Sequence, residues 1–251
     1  MIKVFITDVD GTLYDHDNMS IPPKNIVAIQ ELQKRGIEVV VATARTFSSS
    51  QSIIEALDMK NHGGYVIASN GATIYDIKND KLIYKKPIPM ELVKELYEYA
   101  LANDLHFNVE QEHYVVASGY DPGIVIDSTI VGVDFYLVSP HNNYWDKVKT
   151  EPFKVSLYIC HAGDNFIDIV LKDVNKQTAV AQLLNMLGHD FDEVAAIGDG
   201  DNDSWLLAKA GHSAAMANGT KKALAAGKIT VGECANGGLS DFVEHLLQIK
   251  I

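Results

Sequence analysis

The stretch from Val4 to Thr12 constrains the chain most, because it places two carboxylates directly after an apolar segment. Val4–Thr7 favours β structure and predicts a short buried strand. Asp8 and Asp10 then lie where the strand ends, and a spacing of two residues puts both side chains on the same side of an extended backbone. At ~4 Å two carboxylates repel by about 1–4 kcal/mol in a wet or half-buried site. A divalent cation, a shared proton or both must offset this repulsion, unless the segment is only a solvated turn.

Beyond this stretch, strand-like and helix-like segments alternate along the chain. Residues 22–35 begin with two prolines and carry apolar residues at helical spacing, and Ile37–Ala42 is a second short, β-branched strand. Strand, helix and strand in this rhythm predict a parallel sheet with crossover helices, and therefore an α/β fold. The later segments predicted in the same way are strands at Tyr65–Ala68 and Val194–Ile197, a hairpin of Thr73–Tyr75 and Leu82–Tyr84, and helices at 174–187, at Ser204–Lys209, from Thr220 and at Leu239–Leu247.

The pattern changes between residues 85 and 172. A predicted helix at Met90–Ala102 is followed by strand-like runs with no helix between them. A block of antiparallel strands inside an alternating chain predicts an inserted α+β domain at 85–172, within a core made of 1–84 and 173–251. Residues 161–165 are predicted to join the last two strands directly. The predicted strands are Leu105–Val109, Tyr114–Ala117, Val131–Val138, Phe153–Cys160 and Phe166–Leu171.

Polar residues follow the second and third predicted strands. Thr43, Ala44 and Arg45 come just before a predicted helix at Thr46–Leu57, where free N–H groups would favour a phosphate. Thr43 could equally serve only as a helix cap, and Arg45 could be a surface arginine. Asn70 lies in a Ser-Asn-Gly-Ala segment that also fits a plain tight turn.

Two further segments in the last third carry candidate site residues. Lys176 lies at a predicted helix start, where its charge opposes the helix dipole unless an anion binds there. Residues 198–203 read Gly-Asp-Gly-Asp-Asn-Asp and follow a buried strand, so Asp199, Asn202 and Asp203 lie at a strand end like Asp8. The glycine spacing does not fit the dinucleotide fingerprint, and the segment lacks the glycine and glutamate of an EF-hand loop.

The segments at Asp8, Thr43, Lys176 and Asp199 resemble the four signatures of the haloacid dehalogenase-like superfamily of phosphohydrolases. They occur along this chain in the same order as in that superfamily. The chain looks like a Cof-type member of the branch with an α+β cap, although Ala44 and Gln177 stand where that branch usually has glycine. The resemblance implies a Rossmann-like core with the cap inserted at 85–172. It implies that Asp8 is the nucleophile, that Asp10 is the general acid and base, and that Lys176 holds the phosphate and the nucleophile.

The resemblance also implies a Mg²⁺ site and a phosphate site. Mg²⁺ would be held by Asp8, by the backbone carbonyl of Asp10 and by Asp199, with Asp203 supporting the metal-bound waters or the lysine. The residues implied around the phosphate and the substrate are Val9, Thr43, Ala44, Arg45, Asn70, Lys176 and Asn202.

The activity implied is Mg²⁺-dependent hydrolysis of a small phosphate monoester, such as a sugar phosphate or similar metabolite, through an aspartyl-phosphate on Asp8. The alternatives are a phosphomutase of the same superfamily and a non-catalytic protein that binds phosphate esters. A general acid at Asp10 argues against a dehalogenase, since a halide needs no proton on leaving.

The composition limits the classes of binding partner and the cell compartment that we expect for this protein. The formal net charge of −12 argues against nucleic-acid and anionic-membrane partners, and no obligatory protein partner is evident. The small phosphorylated metabolite is the partner that the family resemblance implies. Two cysteines, Cys160 and Cys234, favour free thiols in a reducing compartment, and no signal peptide or spanning helix is predicted. We therefore expect a cytoplasmic protein.

Overall fold

The computed structural model describes residues 1–103, 105–111, 115–117, 130–136, 153, 156–161 and 166–251. Its strands are, in chain order, β1 (Val4–Thr7), β2 (Glu38–Ala42), β3 (Tyr65–Ala68), β4 (Thr73–Asp76), β5 (Lys81–Lys85), β6 (His106–Gln111), β7 (Val115–Ala117), β8 (Ile130–Tyr136), β9 (Leu157–His161), β10 (Phe166–Leu171), β11 (Val194–Gly198), β12 (His212–Met216) and β13 (Ile229–Val231). Its α-helices are α1 (Pro23–Lys34), α2 (Gln51–Ala56), α3 (Met59–His62), α4 (Met90–Ala102), α5 (Lys176–Leu187), α6 (Ser204–Lys209), α7 (Lys221–Ala226) and α8 (Gly238–Leu247).

The larger sheet has the strand order β13-β12-β11-β1-β2-β3-β4-β5, with β1 near its centre. The strands from β13 to β3 are parallel, and β4 and β5 add an antiparallel edge. The predicted α/β class with a Rossmann-like parallel core is confirmed. Because the carboxyl ends of parallel strands lie at one edge of a sheet, the loops after β1, β2, β3 and β11 come together there.

Side chains that alternate along β1 pack against helices on both faces of this sheet. Phe5 belongs to a buried cluster with residues of α1, α2, α3 and α8. Val4 and Ile6 belong to a second buried cluster with residues of α5, α6 and α7. Burial of both faces explains why β1 is continuously apolar until its end.

The smaller sheet, which we call the cap sheet, has the order β7-β6-β8-β10-β9 and is antiparallel throughout. Val109, Val133, Ile167 and Ile169 of this sheet are buried with residues of α4 in a cluster of their own. The alternation in β10 therefore turns Ile167 and Ile169 towards α4 and leaves Asp168 on the opposite face. The cap sheet lies within the predicted insertion at 85–172, and the division into 1–84, 85–172 and 173–251 stays a prediction.

Two predicted elements differ from the structure. The helix predicted at Thr46–Leu57 is replaced by a 3-10 turn at Ser48–Ser50 followed by the short helix α2. Thr46 Oγ1 accepts the Ser49 N–H at 3.2 Å, and Ser50 Oγ donates to the Thr46 carbonyl at 2.9 Å. Such side-chain bonds to the backbone compete with a regular first turn, so the predicted helix N-terminus directly behind Thr43 was wrong.

The other difference is in the cap sheet, where β9 begins at Leu157 rather than at the predicted Phe153. The Ser156 N–H donates to the Phe153 carbonyl at 3.1 Å, which makes a turn before the strand. The predicted strand ends at Tyr114 and Val138 and the connection at residues 162–165 lie outside the described residues. In the part of the chain that the structure describes, we find no helix with the length and apolar character needed to cross a membrane.

Candidate active site

Asp8 and Asp10 lie in a tight loop directly after β1. The Leu13 and Tyr14 N–H groups both donate to the Val9 carbonyl, at 2.9 and 2.7 Å. Gly11 has φ +83°, and a Cβ at this position would overlap the Asp199 carboxylate. Glycine is therefore needed both for the backbone conformation and for the close approach of the loop after β11.

Lys176 is brought to Asp8 by the start of α5. Asn175 caps this helix, since its side chain accepts the Thr178 N–H at 2.9 Å. The Lys176 side chain is 4% exposed, and its ammonium donates to Asp8 Oδ1 and, at 2.9 Å, to Asp203 Oδ1. Burial disfavours the ammonium, but the two carboxylates outweigh this effect and raise the pKa of Lys176. A permanent positive charge therefore sits against the predicted nucleophile.

Asp199 and Asp203 complete a cluster of carboxylates around Asp8. One carboxylate oxygen from each of the three residues lies within 4.8 Å of the other two. Asp203 Oδ2 also accepts the N–H groups of Asp199 and Gly200, at 3.2 and 2.9 Å, and so fixes the loop. Asp203 therefore contacts both the lysine and the loop that carries Asp199.

Electrostatics in this cluster oppose full ionisation. Burial raises the pKa of Asp8 to about 8, Lys176 acts against this shift, and Asp203 adds to it. Burial also raises the pKa of Asp199, against a hydrogen bond of 2.8 Å from Thr12 Oγ1. The cluster holds three carboxylates, and the Lys176 ammonium pairs with two of them, so the excess negative charge attracts a cation.

Asp10 points to a separate set of groups. Arg45 donates from Nε to both Asp10 oxygens, at 3.2 and 3.0 Å, and from Nη2 to Oδ1 at 2.5 Å. His16 Nε2 lies 2.9 Å from Asp10 Oδ1, and the Arg45 guanidinium lies 4.6 Å from the centroid of the Tyr14 ring. The hydrogen bonds to Asp10 raise the pKa of Arg45. Arg45 thus orients the predicted acid and base, and its predicted role on the substrate stays a prediction.

The structure places the remaining predicted residues around the same edge of the sheet. Thr43 is fully buried, and its Oγ1 accepts the Arg45 N–H at 3.0 Å. Ala44 follows Thr43 in the same loop. The Val9 side chain is buried in the core, so only the backbone groups of Val9 are left for a ligand. Asn202 is exposed on the loop between Asp199 and Asp203. Asn70 lies in the turn after β3, and its amide donates to Asp168 of the cap sheet at 3.1 Å.

Some contributors were not predicted. Thr12, which holds Asp199, lies within the first motif, so its position next to Gly11 was a usable signal. Asn218 joins the loops by donating to the Gly11 carbonyl at 2.8 Å and accepting the Cys234 N–H at 3.1 Å. Asp168 has no local signal, because its partner Asn70 is 98 residues away in the sequence.

Comparison with known proteins agrees with this arrangement. A family model described as haloacid dehalogenase-like hydrolase matches residues 5–151 and 135–243. The chain belongs to the haloacid dehalogenase-like hydrolase family. The family resemblance of the four motifs is therefore confirmed, and so is the prediction of an enzyme.

Several similar proteins cover most of the chain. A phosphoglycolate phosphatase from Methanopyrus kandleri is 28% identical over 268 residues, which is 99% of this chain and 98% of the relative. A 5-amino-6-(5-phospho-D-ribitylamino)uracil phosphatase from Bacillus subtilis is 25% identical over 218 residues, covering 86% of this chain and 84% of the relative. A haloacid dehalogenase-like hydrolase from Bacteroides thetaiotaomicron has the same fold, with a TM-score of 0.89 and 22% identity over 98% of this chain and 100% of the other.

Proposed function

We propose that this protein is a Mg²⁺-dependent phosphatase that hydrolyses a small phosphate monoester through an aspartyl-phosphate on Asp8. The observation that carries the proposal is the Lys176 ammonium between Asp8 and Asp203, with Asp199 in the same cluster. A nucleophilic carboxylate needs a cation beside it, both to accept an anionic phosphoryl group and to stabilise the charge that develops there. Phosphatase names among the relatives support the same chemistry.

The proposed reaction has two steps on this chain's own residues. A carboxylate oxygen of Asp8 attacks phosphorus, the bond from phosphorus to the ester oxygen breaks, and Asp10 gives a proton to the leaving alkoxide. Asp10 then takes a proton from water, whose oxygen attacks the phosphorus of the aspartyl-phosphate and releases phosphate and free Asp8. Arg45 holds Asp10 in one orientation throughout, and Lys176 stays on Asp8.

The residues of the cluster fit a magnesium ion. Their ligand atoms are hard carboxylate oxygens within 4.8 Å of one another. The negative charge of the three carboxylates exceeds the positive charge of the Lys176 ammonium. Asp8 and Asp199 would hold the ion, the backbone carbonyl of Asp10 is a further proposed ligand, and Asp203 holds the lysine. When bound, Mg²⁺ would neutralise charge on the phosphoryl oxygens and help to orient them. Thr43, Asn202 and backbone N–H groups would donate to the remaining oxygens.

The substrate is proposed only as a class. The two relatives named above act on different phosphate esters by their names, so neither name is transferred to this chain. A sugar phosphate or a similar small metabolite fits the expected cap, and the charge of −12 speaks against nucleic acid. The absence of an obligatory protein partner and the cytoplasmic location stay predictions.

The test is phosphate release from p-nitrophenyl phosphate by the wild type and Asp8→Asn, with Mg²⁺ and with a chelator. We expect Mg²⁺-dependent turnover that Asp8→Asn reduces by at least about a thousandfold, because the nucleophile is lost. Asp80→Asn makes the same change in an exposed turn with φ +48°, which asparagine tolerates, and it should keep full activity.

The other outcomes separate the alternatives. Equal turnover by Asp8→Asn would overturn the aspartyl-phosphate. Transfer of the phosphoryl group to an added sugar phosphate in place of water would identify a phosphomutase. Tight binding of phosphate esters without turnover by the wild type would identify a binding protein with an idle site.

A further inference from the structure

One side-chain hydrogen bond links the turn after β3 to the cap sheet. The Asn70 amide donates to Asp168 Oδ2 at 3.1 Å, across 98 residues of sequence. Asn70 is 5% exposed, and Asp168 lies on the face of β10 opposite the two isoleucines that pack on α4. The bond therefore joins the face of the cap sheet opposite α4 to the loops of the active site.

The Asn70 end of this link is held by the active-site loops. The Ser69 N–H donates to the Arg45 carbonyl at 2.8 Å, and the Asn70 N–H donates to the Thr43 carbonyl at 3.2 Å. Asn70 has φ +54°, a left-handed conformation that asparagine adopts more readily than most residues. The amide thus has a fixed direction relative to Thr43 and Arg45.

The Asp168 end of this link is held by strand pairing and by the chain segment that leads from β10 to α5. β10 pairs with β8 on one side and β9 on the other. After β10 the chain runs through residues 172–175 into Lys176, and Val170 and Val174 pack on Ala72 in a small buried cluster. Desolvation raises the pKa of Asp168 and the hydrogen bond from Asn70 acts against this shift, so the amide offsets part of the desolvation cost of this half-buried carboxylate.

We propose that Asn70 and Asp168 form a positioning pair that sets the orientation of the cap sheet over the active site. The side-chain amide of Asn70 then serves the cap sheet and not the phosphate, which revises the role expected for it from the sequence. The geometry favours this role because the amide already has a half-buried carboxylate acceptor, and leaving that acceptor unpaired would be costly. The kinetic consequences rest on the phosphatase activity proposed above.

The kinetic test uses three variants that make or break the pair. Asn70→Asp sets two carboxylates against each other, Asp168→Ala removes the acceptor, and the double variant Asn70→Asp/Asp168→Asn restores one donor and one acceptor in reverse. With p-nitrophenyl phosphate we expect each single variant to lower kcat/KM roughly tenfold, mainly by raising KM. The swapped pair should recover to within about threefold of the wild type, since the two contacting sites couple.

A role on phosphate predicts the opposite pattern. If Asn70 donates to the transferring phosphoryl group, a carboxylate at this position lowers kcat whether or not residue 168 is asparagine, and the swap does not rescue. That result would overturn the proposal. Wild-type kinetics in Asp168→Ala would overturn it as well.

Amide hydrogen exchange gives a readout that needs no catalysis. Peptides covering residues 69–72 and 166–171 should exchange faster in both single variants and return towards wild-type rates in the swapped pair. Asn61→Asp is the matched control. Asn61 donates to Asp58 at 2.7 Å on the exposed surface, so this substitution also sets two carboxylates against each other, but away from the cap sheet. Unchanged exchange at both peptides in Asn70→Asp would overturn the positioning pair even if the phosphatase activity stands.

Discussion

At Asp8, burial and charge act against each other, and the balance predicts the effect of a neutral side chain. Burial raises the pKa of Asp8 to about 8, well above the ordinary value of 3.8. The carboxylate therefore costs the metal-free protein stability as pH rises from the unfolded pKa through the folded one, and this cost is absent at low pH. Asp8→Asn removes the charge, while Lys176 keeps its ion pair with Asp203.

We expect Asp8→Asn to stabilise the chelator-treated protein by about 1–2 kcal/mol at pH 8 and by less at pH 5. Urea unfolding at the two pH values measures the difference, with Asp80→Asn as the exposed control. A less stable Asp8→Asn at pH 8 would mean that the ion pair with Lys176 outweighs the repulsion among the carboxylates.

Among the elements, the turn at Ser69–Gly71 and helix α5 depend on each other. Gly71 has φ +104°, and a Cβ there would overlap the carbonyl of Asn175, the residue that caps α5. Gly71→Ala must therefore strain the turn and displace the residue next to Lys176. We expect a loss of about 2–3 kcal/mol in unfolding free energy and a fall in kcat of at least about tenfold.

Gly188→Ala separates backbone strain from displacement of the lysine. Gly188 ends the same helix with φ +72°, and apart from its own helix and chain neighbours no described residue has an atom within 4 Å of its Cβ position. This variant should cost about 1–2 kcal/mol and leave kcat unchanged. Urea unfolding measures the unfolding free energy of each variant, and phosphate release measures its kcat. Equal kcat values for the two variants would show that Gly71 does not position Lys176.

Elements governed by local pattern could be predicted well from the sequence. The strand before Asp8 and helix α6 follow apolar runs that end at clear polar or glycine signals. The predicted start of the helix at Thr46 was wrong because hydroxyl groups between Thr46 and Ser50 bond to one another and to the backbone, while its end at Leu57 agrees with α2. Strand β13 was not predicted, since a run of three residues carries too little pattern.

For the whole molecule, the order of strands decides which distant residues meet. The parallel sheet brings Asp8 and Asp199 together, and this could be anticipated because strand ends share one edge. The contacts of Arg45 with Asp10 and of Asn70 with Asp168 could not, because each depends on side-chain directions between separate loops or sheets. Pattern in the sequence thus predicts the position of the site better than the pairing of its side chains.

Metal binding should couple the site to the stability of the whole chain. An ion that binds only the folded state stabilises it by about 2.7 kcal/mol at a hundredfold excess over its Kd. For a chain of 251 residues this corresponds to a rise in Tm of roughly 5–10 °C. Asp199 carries one of the three clustered carboxylates and no ion pair with Lys176, so Asp199→Asn should remove most of the rise while leaving the lysine in place.

The measurement is a thermal melt with increasing Mg²⁺, read as the change in Tm for each protein so that differences between the metal-free forms cancel. Asp80→Asn should show the full wild-type rise, because Asp80 lies in an exposed turn outside the cluster. An undiminished rise in Asp199→Asn would place the cation elsewhere. No rise in the wild type would leave Lys176 as the main positive charge beside the phosphate. One ammonium already paired with Asp8 and Asp203 is poorly able to balance the phosphate charge as well.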